Sequence, residues 1–246
     1  MDIIEAFSTK NRCYQVATPL HPQGIMLHSI GCPQPNAAVM AHRYNTYQPD
    51  GQSVCVHGFV QRDGTYYHTL PYNLRAWHCG GSANQTHIGI EMTEPSASMT
   101  HDEAAEQIAG TYRTAVALFA ELCKKYGLDP VADGVIIGHA EGHRRGAASN
   151  HADPELLWQQ YRTGCTMDGF RRDVAEAMAK EDREEVPDMP RYDSVAEMPQ
   201  WARADAQRLI DRGALQGNTD GKLDVSEDML RTMIVCQRLV DEQKET

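Results

Sequence analysis

The chain has 246 residues, 41% of them hydrophobic, and a formal net charge of -11 at pH 7. That length buries a sizeable core in one domain or two, and no apolar run approaches the length of a membrane span. The acidic balance speaks against nucleic-acid backbone binding as the main role, and seven cysteines without CxxC pairs read as reduced thiols.

Met1-Asp2-Ile3-Ile4-Glu5 lacks the basic start and apolar core of a secretion signal, so synthesis in the cytoplasm is expected, with another exit route for any action outside. Ile25-Met26-Leu27-His28 is a strand-like run that ends on a histidine. A helix is expected after Pro35, through Ala37, Ala38, Val39, Met40 and Ala41, closed by Pro49-Asp50-Gly51. The alternation from Val54 to Val60, the turn Arg62-Asp63-Gly64 and the return Tyr66-Tyr67-His68-Thr69-Leu70 read as a hairpin. Trp77-His78-Cys79-Gly80-Gly81 opens a flexible polar loop. In Ile88-Gly89-Ile90-Glu91-Met92 the strand period sets Ile88 and Ile90 on one face and Gly89 and Glu91 on the other.

The longest helix starts at a capping box, Thr100 with Glu103, and carries Ile108, Tyr112, Ala115, Phe119, Leu122 and Tyr126 at helical spacing up to Gly127. Val135-Ile136-Ile137 is a short buried strand that delivers His139 at its end. A Gly- and Ala-rich loop follows and returns Asp153 toward His139, and a helix spans the region from Asp168 to Ala179. These elements predict an α/β domain over residues 1–178, a central mixed sheet flanked by helices. Charge and proline mark residues 179–192 as a linker, from Glu181 through Pro187 and Pro190. Residues 193–246 predict a small helical module, with one helix from Pro199 to Gly213 and another capped by Ser226.

Two strand runs that each end on a histidine bring His28 and His139 to one edge of a sheet. Imidazole and carboxylate are common zinc donors, and a catalytic zinc keeps three protein ligands and one open position. His28, His139 and Asp153 form the candidate set, with His143, His151 and Cys32 as rivals for the same positions. In the C-terminal module Asn218, Asp220, Gly221, Asp224 and Glu227 fall at the offsets of a calcium loop, although Gln216 at its first position carries no charge.

Six stretches in order resemble the zinc-dependent N-acetylmuramoyl-L-alanine amidases of the amidase-2 type, which share a fold with peptidoglycan recognition proteins. They are Leu27-His28-Ser29, His57-Gly58-Phe59-Val60 with Asp63-Gly64, Trp77-His78-Cys79-Gly80-Gly81, Thr86-His87-Ile88-Gly89-Ile90-Glu91, Gly138-His139, and Asn150-His151-Ala152-Asp153-Pro154. The resemblance covers about Ile25 to Phe170 and is nearest to phage endolysin or prophage members. It implies one zinc held by His28, His139 and Asp153, with Glu91 as the acid/base carboxylate. His151 stands where many members carry a catalytic lysine; imidazole titrates near neutrality, so its hydrogen bond to an oxyanion would depend on pH. Val56 stands where several relatives have a tyrosine.

The implied activity is hydrolysis of the amide between N-acetylmuramic acid and L-alanine of peptidoglycan, with Trp77, His78, Asn84 and Gln34 lining the substrate groove. A binding module without catalysis and a zinc peptidase cutting within the stem peptide are the alternatives. The tail, from Tyr192 through Trp201, Leu209 and Asp220 to Leu230, resembles a single divergent S-layer-homology module, which implies binding to a cell-wall polymer or self-association. No nucleic acid and no membrane insertion are expected. Exit through a phage holin is the implied route to the wall.

Overall fold

The computed structural model describes residues 1–46, 54–184 and 190–242. Pro49-Asp50-Gly51, expected to close the first long helix, and Pro187 of the expected linker lie outside the described residues. The chain divides into two compact units, Met1–Glu181 and Asp182–Thr246.

The first unit runs β1 (Asp2–Glu5), α1 (Arg12–Val16), β2 (Gly24–Ser29), α2 (Ala37–Asn45), β3 (Gly58–Val60), β4 (Thr65–His68), β5 (His87–Met92), α3 (His101–Tyr126), β6 (Ile136–Gly138), α4 (His139–Arg144), α5 (Glu155–Gln160) and α6 (Met167–Glu184). Its six strands form one sheet in the order β1-β4-β3-β5-β2-β6. β2 is parallel to both β5 and β6, β3 is parallel to β5, and the β3–β4 hairpin is antiparallel, so the sheet is mixed. The expected α/β fold is the observed one.

The strand period sorts the two faces of the sheet. Ile25 and Leu27 of β2, Ile88, Ile90 and Met92 of β5, and Ile136 of β6 enter the main core with Ile108, Ala115, Phe119 and Leu122 of α3. Phe170 and Val174 of α6 complete it. The intervening residues, Met26 and His28 on β2 and Gly89 and Glu91 on β5, are left for the opposite face. Met26 there joins Cys79, Ala83 and Ile137 in a smaller cluster.

α3 begins with the expected reciprocal cap: Glu103 N donates to Thr100 Oγ1, and Thr100 N donates to Glu103 Oε2 at 2.8 Å. It ends where Gly127 takes the left-handed conformation, φ 63°. Three local expectations are corrected. β3 is confined to Gly58–Val60, because upstream the amides of Cys55 and His57 donate to the carbonyls of Trp77 and Gly89. The segment after β6 is not loop throughout; its start coils into α4, with Gly138 N bonded to the Glu141 carboxylate at 3.2 Å. α6 continues to Glu184, past the expected start of the linker.

The second unit pairs β7 (Arg191–Tyr192) with β8 (Val225–Ser226) and carries α7 (Gln200–Asp211) and α8 (Glu227–Glu242). Met198, Ala202, Ala206, Leu209, Val225, Leu230 and Ile234 are among the residues of its core. The calcium-loop reading does not hold. Asp224 pairs with Arg191 at 2.6 Å, Asp193 with Lys222 at 2.7 Å and Glu227 with Arg231 at 2.7 Å, while Asn218 Oδ1 accepts from the Asp220 and Lys222 amides. Of the candidate acids, Asp224 and Glu227 are thus engaged by the unit's own basic side chains, and no metal-competent group of three forms there among the described residues. None of the described helices is long and apolar enough to cross a membrane.

Candidate metal centre

Parallel strands β2, β5 and β6 end on the same side, and the chemistry gathers at their carboxyl ends, as in open α/β sheets generally. His28 lies near the end of β2, opposite Glu91 in the register with β5. His139 is the first residue after β6 and opens α4. Asp153 is brought back beside it because Ala140 N donates to the Asp153 carbonyl at 3.1 Å. The backbone return is possible because Gly81 has no side chain: a Cβ there would stand 2.2 Å from the Ala147 carbonyl oxygen.

His28 Nδ1 lies 3.1 Å from Asp153 Oδ2 and 3.1 Å from His139 Nδ1, and His139 Nδ1 lies 3.4 Å from Asp153 Oδ1. These three side chains are the one group of metal-competent donors of this kind among the described residues. Donors held at about 2.0–2.1 Å from a tetrahedral zinc stand about 3.3 Å from one another, and the observed separations, measured to the two different oxygens of Asp153, are close to that spacing. His28 and His139 are 1% and 2% exposed, and no thiolate joins the group. The rivals fall away: His143 is exposed with Nδ1 3.4 Å from the Ala148 carbonyl, and Cys32 is not a member of the cluster.

The electrostatics suit a cation. Burial works against the charge of Asp153, but its contacts with the His139 and His28 rings hold the carboxyl well below the usual range. Burial lowers the His28 imidazole despite the adjacent carboxylate, and it pushes His78 well below its ordinary value. Both rings are therefore neutral near pH 7, the state in which imidazole binds metal.

The cluster opens into a pocket of about 590 Å³ that also receives Glu91, Glu94, Tyr44 and His151. Glu91 is 8% exposed, and its Oε2 is buried without a hydrogen-bond partner. Burial raises its pKa well above the ordinary carboxylate value, and the charges of Asp153 and Glu94 add to the effect. His151 is exposed, and its ring centroid is 4.6 Å from that of His139. A second pocket of about 660 Å³ shares His78, His151 and Val54 with the first and is walled by Trp77, Arg75 and Asn84.

One groove residue is placed differently from expectation. Gln34 lines neither of these pockets; its Oε1 accepts from Asn36 N at 3.0 Å within its own turn. Asn84 Oδ1 accepts from the His78 and Cys79 amides at 2.9 and 3.0 Å, so its carbonyl end anchors the loop. That loop is thereby held in place, where the sequence suggested a flexible one. Val56 is buried with Ala37, Met40 and Phe59, away from this pocket's lining. Sequence reasoning missed Glu94, Tyr44 and Ser149. Glu94 is three residues past Glu91 and accepts from Gly31 N at 2.8 Å, a pairing that strand spacing does not announce.

A search of curated protein sequences returned no match. Among solved structures the fold is similar to that of the Staphylococcus aureus hydrolase AmiA in complex with its ligand, at 21% identity and a TM-score of 0.58, covering 76% of this chain and 88% of that one. It is also similar to a mutant endolysin from Bacillus subtilis, at 19% identity and a TM-score of 0.50, covering 71% and 99%. The structure of PlyL aligns at 17% identity and a TM-score of 0.51, covering 71% and 96%. At such identities the likeness is one of fold. The family model for N-acetylmuramoyl-L-alanine amidases matches residues 18–156. That stretch is more than half of the chain and encloses both histidine-bearing strand ends, Glu91 and Asp153, and the chain belongs to the N-acetylmuramoyl-L-alanine amidase family.

Proposed function

We propose that the chain hydrolyses the amide joining the lactyl group of N-acetylmuramic acid to L-alanine in peptidoglycan, with His28, His139 and Asp153 holding one zinc ion. The observation that carries this reading is the convergence of three buried-to-half-buried donors in the same pocket as a buried, unpartnered carboxylate, in a chain of this family. When bound, the ion supplies a positive charge that polarises a carbonyl and makes a water more acidic. Glu91 accepts the proton of the attacking water, a role its raised basicity suits, and delivers it to the departing amine of L-alanine. His151 donates a hydrogen bond toward the oxygen that gains charge. Trp77 offers an apolar wall for the sugar or stem peptide in the second pocket.

The same proposal takes the enzyme to be a wall-lysing one of the endolysin kind, made in the cytoplasm and acting on the wall after release. The fold likeness to an endolysin of Bacillus subtilis supports that reading. The second unit then serves as a helical module that binds cell-wall polymer or a second copy of the chain, which pelleting with purified walls and sedimentation of the free protein distinguish.

Digestion of purified walls followed by mass spectrometry tests the activity, together with zinc analysis of the protein. Free muramic lactyl groups paired with new N-terminal L-alanine, and one zinc per chain, are expected. Cuts inside the stem peptide would make it a peptidase, and adsorption without release would leave a binding module.

A further inference from the structure

Each imidazole of the cluster turns Nδ1 toward the shared centre and Nε2 away from it. Each Nε2 meets a partner whose own chain of contacts ends on a backbone carbonyl. His28 Nε2 lies 2.9 Å from His78 Nδ1, and His78 Nε2 lies 3.2 Å from the His87 carbonyl oxygen. His139 Nε2 lies 3.2 Å from Ser149 Oγ, and Ser149 Oγ–H donates to the Cys79 carbonyl at 3.0 Å.

A carbonyl only accepts, which fixes the direction of both chains. Nε2 of a neutral His78 must carry the proton that faces His87, so its Nδ1 is bare and accepts from His28 Nε2–H. Nδ1 of His28 is then a lone pair. By the same logic the single hydroxyl proton of Ser149 goes to Cys79, its oxygen accepts from His139 Nε2–H, and Nδ1 of His139 is also a lone pair. A cation among them reconciles two bare nitrogens 3.1 Å apart with the adjacent carboxylate; in the metal-free chain a ring proton facing Asp153 does so instead, the contact that holds that carboxyl low.

The surrounding backbone is shaped to these two partners. A Cβ on Gly89 would stand 2.4 Å from Cγ and 2.6 Å from Nδ1 of His78, so the ring lies against β5 where only glycine leaves room. A Cβ on Gly80 would stand 3.0 Å from Ser149 Oγ. Asn84 anchors the amides of His78 and Cys79 together, which ties the ring that supports His28 to the carbonyl that orients Ser149.

We propose that His78 and Ser149 are positioning residues that lock His28 and His139 in the Nε2–H tautomer and thereby set the affinity of the site for its divalent cation. The inference rests on the metal reading above. It also moves His78 from the expected substrate groove to the support of a ligand, since both its ring nitrogens are engaged.

The test is zinc competition against a chromophoric chelator on the full chain, for wild type, His78→Leu, His78→Gln, Ser149→Ala and Gly89→Ala, with melting of the metal-free proteins recorded alongside. His78→Leu and Ser149→Ala are each expected to weaken zinc binding on the order of 10–100-fold, the usual effect of losing such a partner. Glutamine offers an amide oxygen to His28 and an N–H to His87, so His78→Gln recovers most of that loss, whereas Gly89→Ala displaces the ring and reproduces it. Nitrogen-15 spectra of the zinc-loaded wild type should find the His28 and His139 protons on Nε2. Wild-type zinc affinity in a folded His78→Leu and Ser149→Ala, or a His28 proton on Nδ1, overturns the proposal. Should His78→Leu fail to fold, Ser149→Ala decides, because the Ser149 N to Cys79 carbonyl bond at 2.8 Å survives it. A wild-type chain that takes up no zinc would instead overturn the metal reading, and this inference with it.

Discussion

Glu91 and Asp153 are carboxylates in one pocket driven in opposite directions, one raised by burial and the other held down by two imidazole rings. Groups split in this way take different tasks. Asp153→Ala is expected to lose metal and turnover together. Glu91→Gln should keep one zinc per chain while kcat falls by about 10²–10⁴, the range for a lost general base. Zinc analysis beside kinetics checks both, and full activity in Glu91→Gln would remove that residue from the reaction. A second prediction concerns His57, whose Nε2 donates to the Leu74 carbonyl and whose Nδ1 accepts from Gly89 N. Burial lowers its imidazole to about 4. A histidine depressed on folding contributes stability that is whole above its unfolded value near 6.5 and is lost as pH falls toward 4, on the order of 3 kcal/mol. Urea unfolding of the metal-free protein between pH 4 and 7 should therefore show a smaller acid loss in His57→Gln than in wild type; equal losses would refute it. His28 and His139 were legible in the sequence because each ends an apolar run. Ser149 was not, because its meaning depends on a carbonyl 70 positions away.

At the scale of elements, α3 is the clearest case of sequence dictating structure. Its cap, its apolar stripe and its glycine stop are all local signals, and the stripe meets the sheet as the spacing requires. Thr100→Ala should cost about 1 kcal/mol by leaving the first turn uncapped. For a unit of this size that is a fall in melting temperature of about 2–4 °C with hydrolysis unchanged, read by calorimetry and a wall-release assay. Less was legible where tertiary contacts override local pattern. β1 is exposed along its whole length, so no alternation marks it, and it exists because it pairs with β4. The alternation from Val54 to Val60 promised a longer strand than β3, but its first half is bonded to Trp77 and Gly89 instead. α4 hides in a run of glycine and alanine that reads equally well as loop.

Over the whole molecule, every residue of both pockets belongs to the first compact unit. A chain ended after residue 184, which keeps α6 entire, is expected to bind zinc with unchanged affinity and to cleave soluble muropeptides at the full-length rate. Loss of either in a folded truncation would assign part of the active machinery to the second unit.

The donors are also far apart along the chain: His28 stands 125 positions from Asp153 and 111 from His139. On the proposed metal reading, the full ligand set therefore assembles only after the strands have closed, which makes loading a late event in maturation. In zinc-finger modules the ion is a condition of folding. Here a chelator should strip a finished scaffold and leave it standing, and returning the metal should revive it without a refolding step.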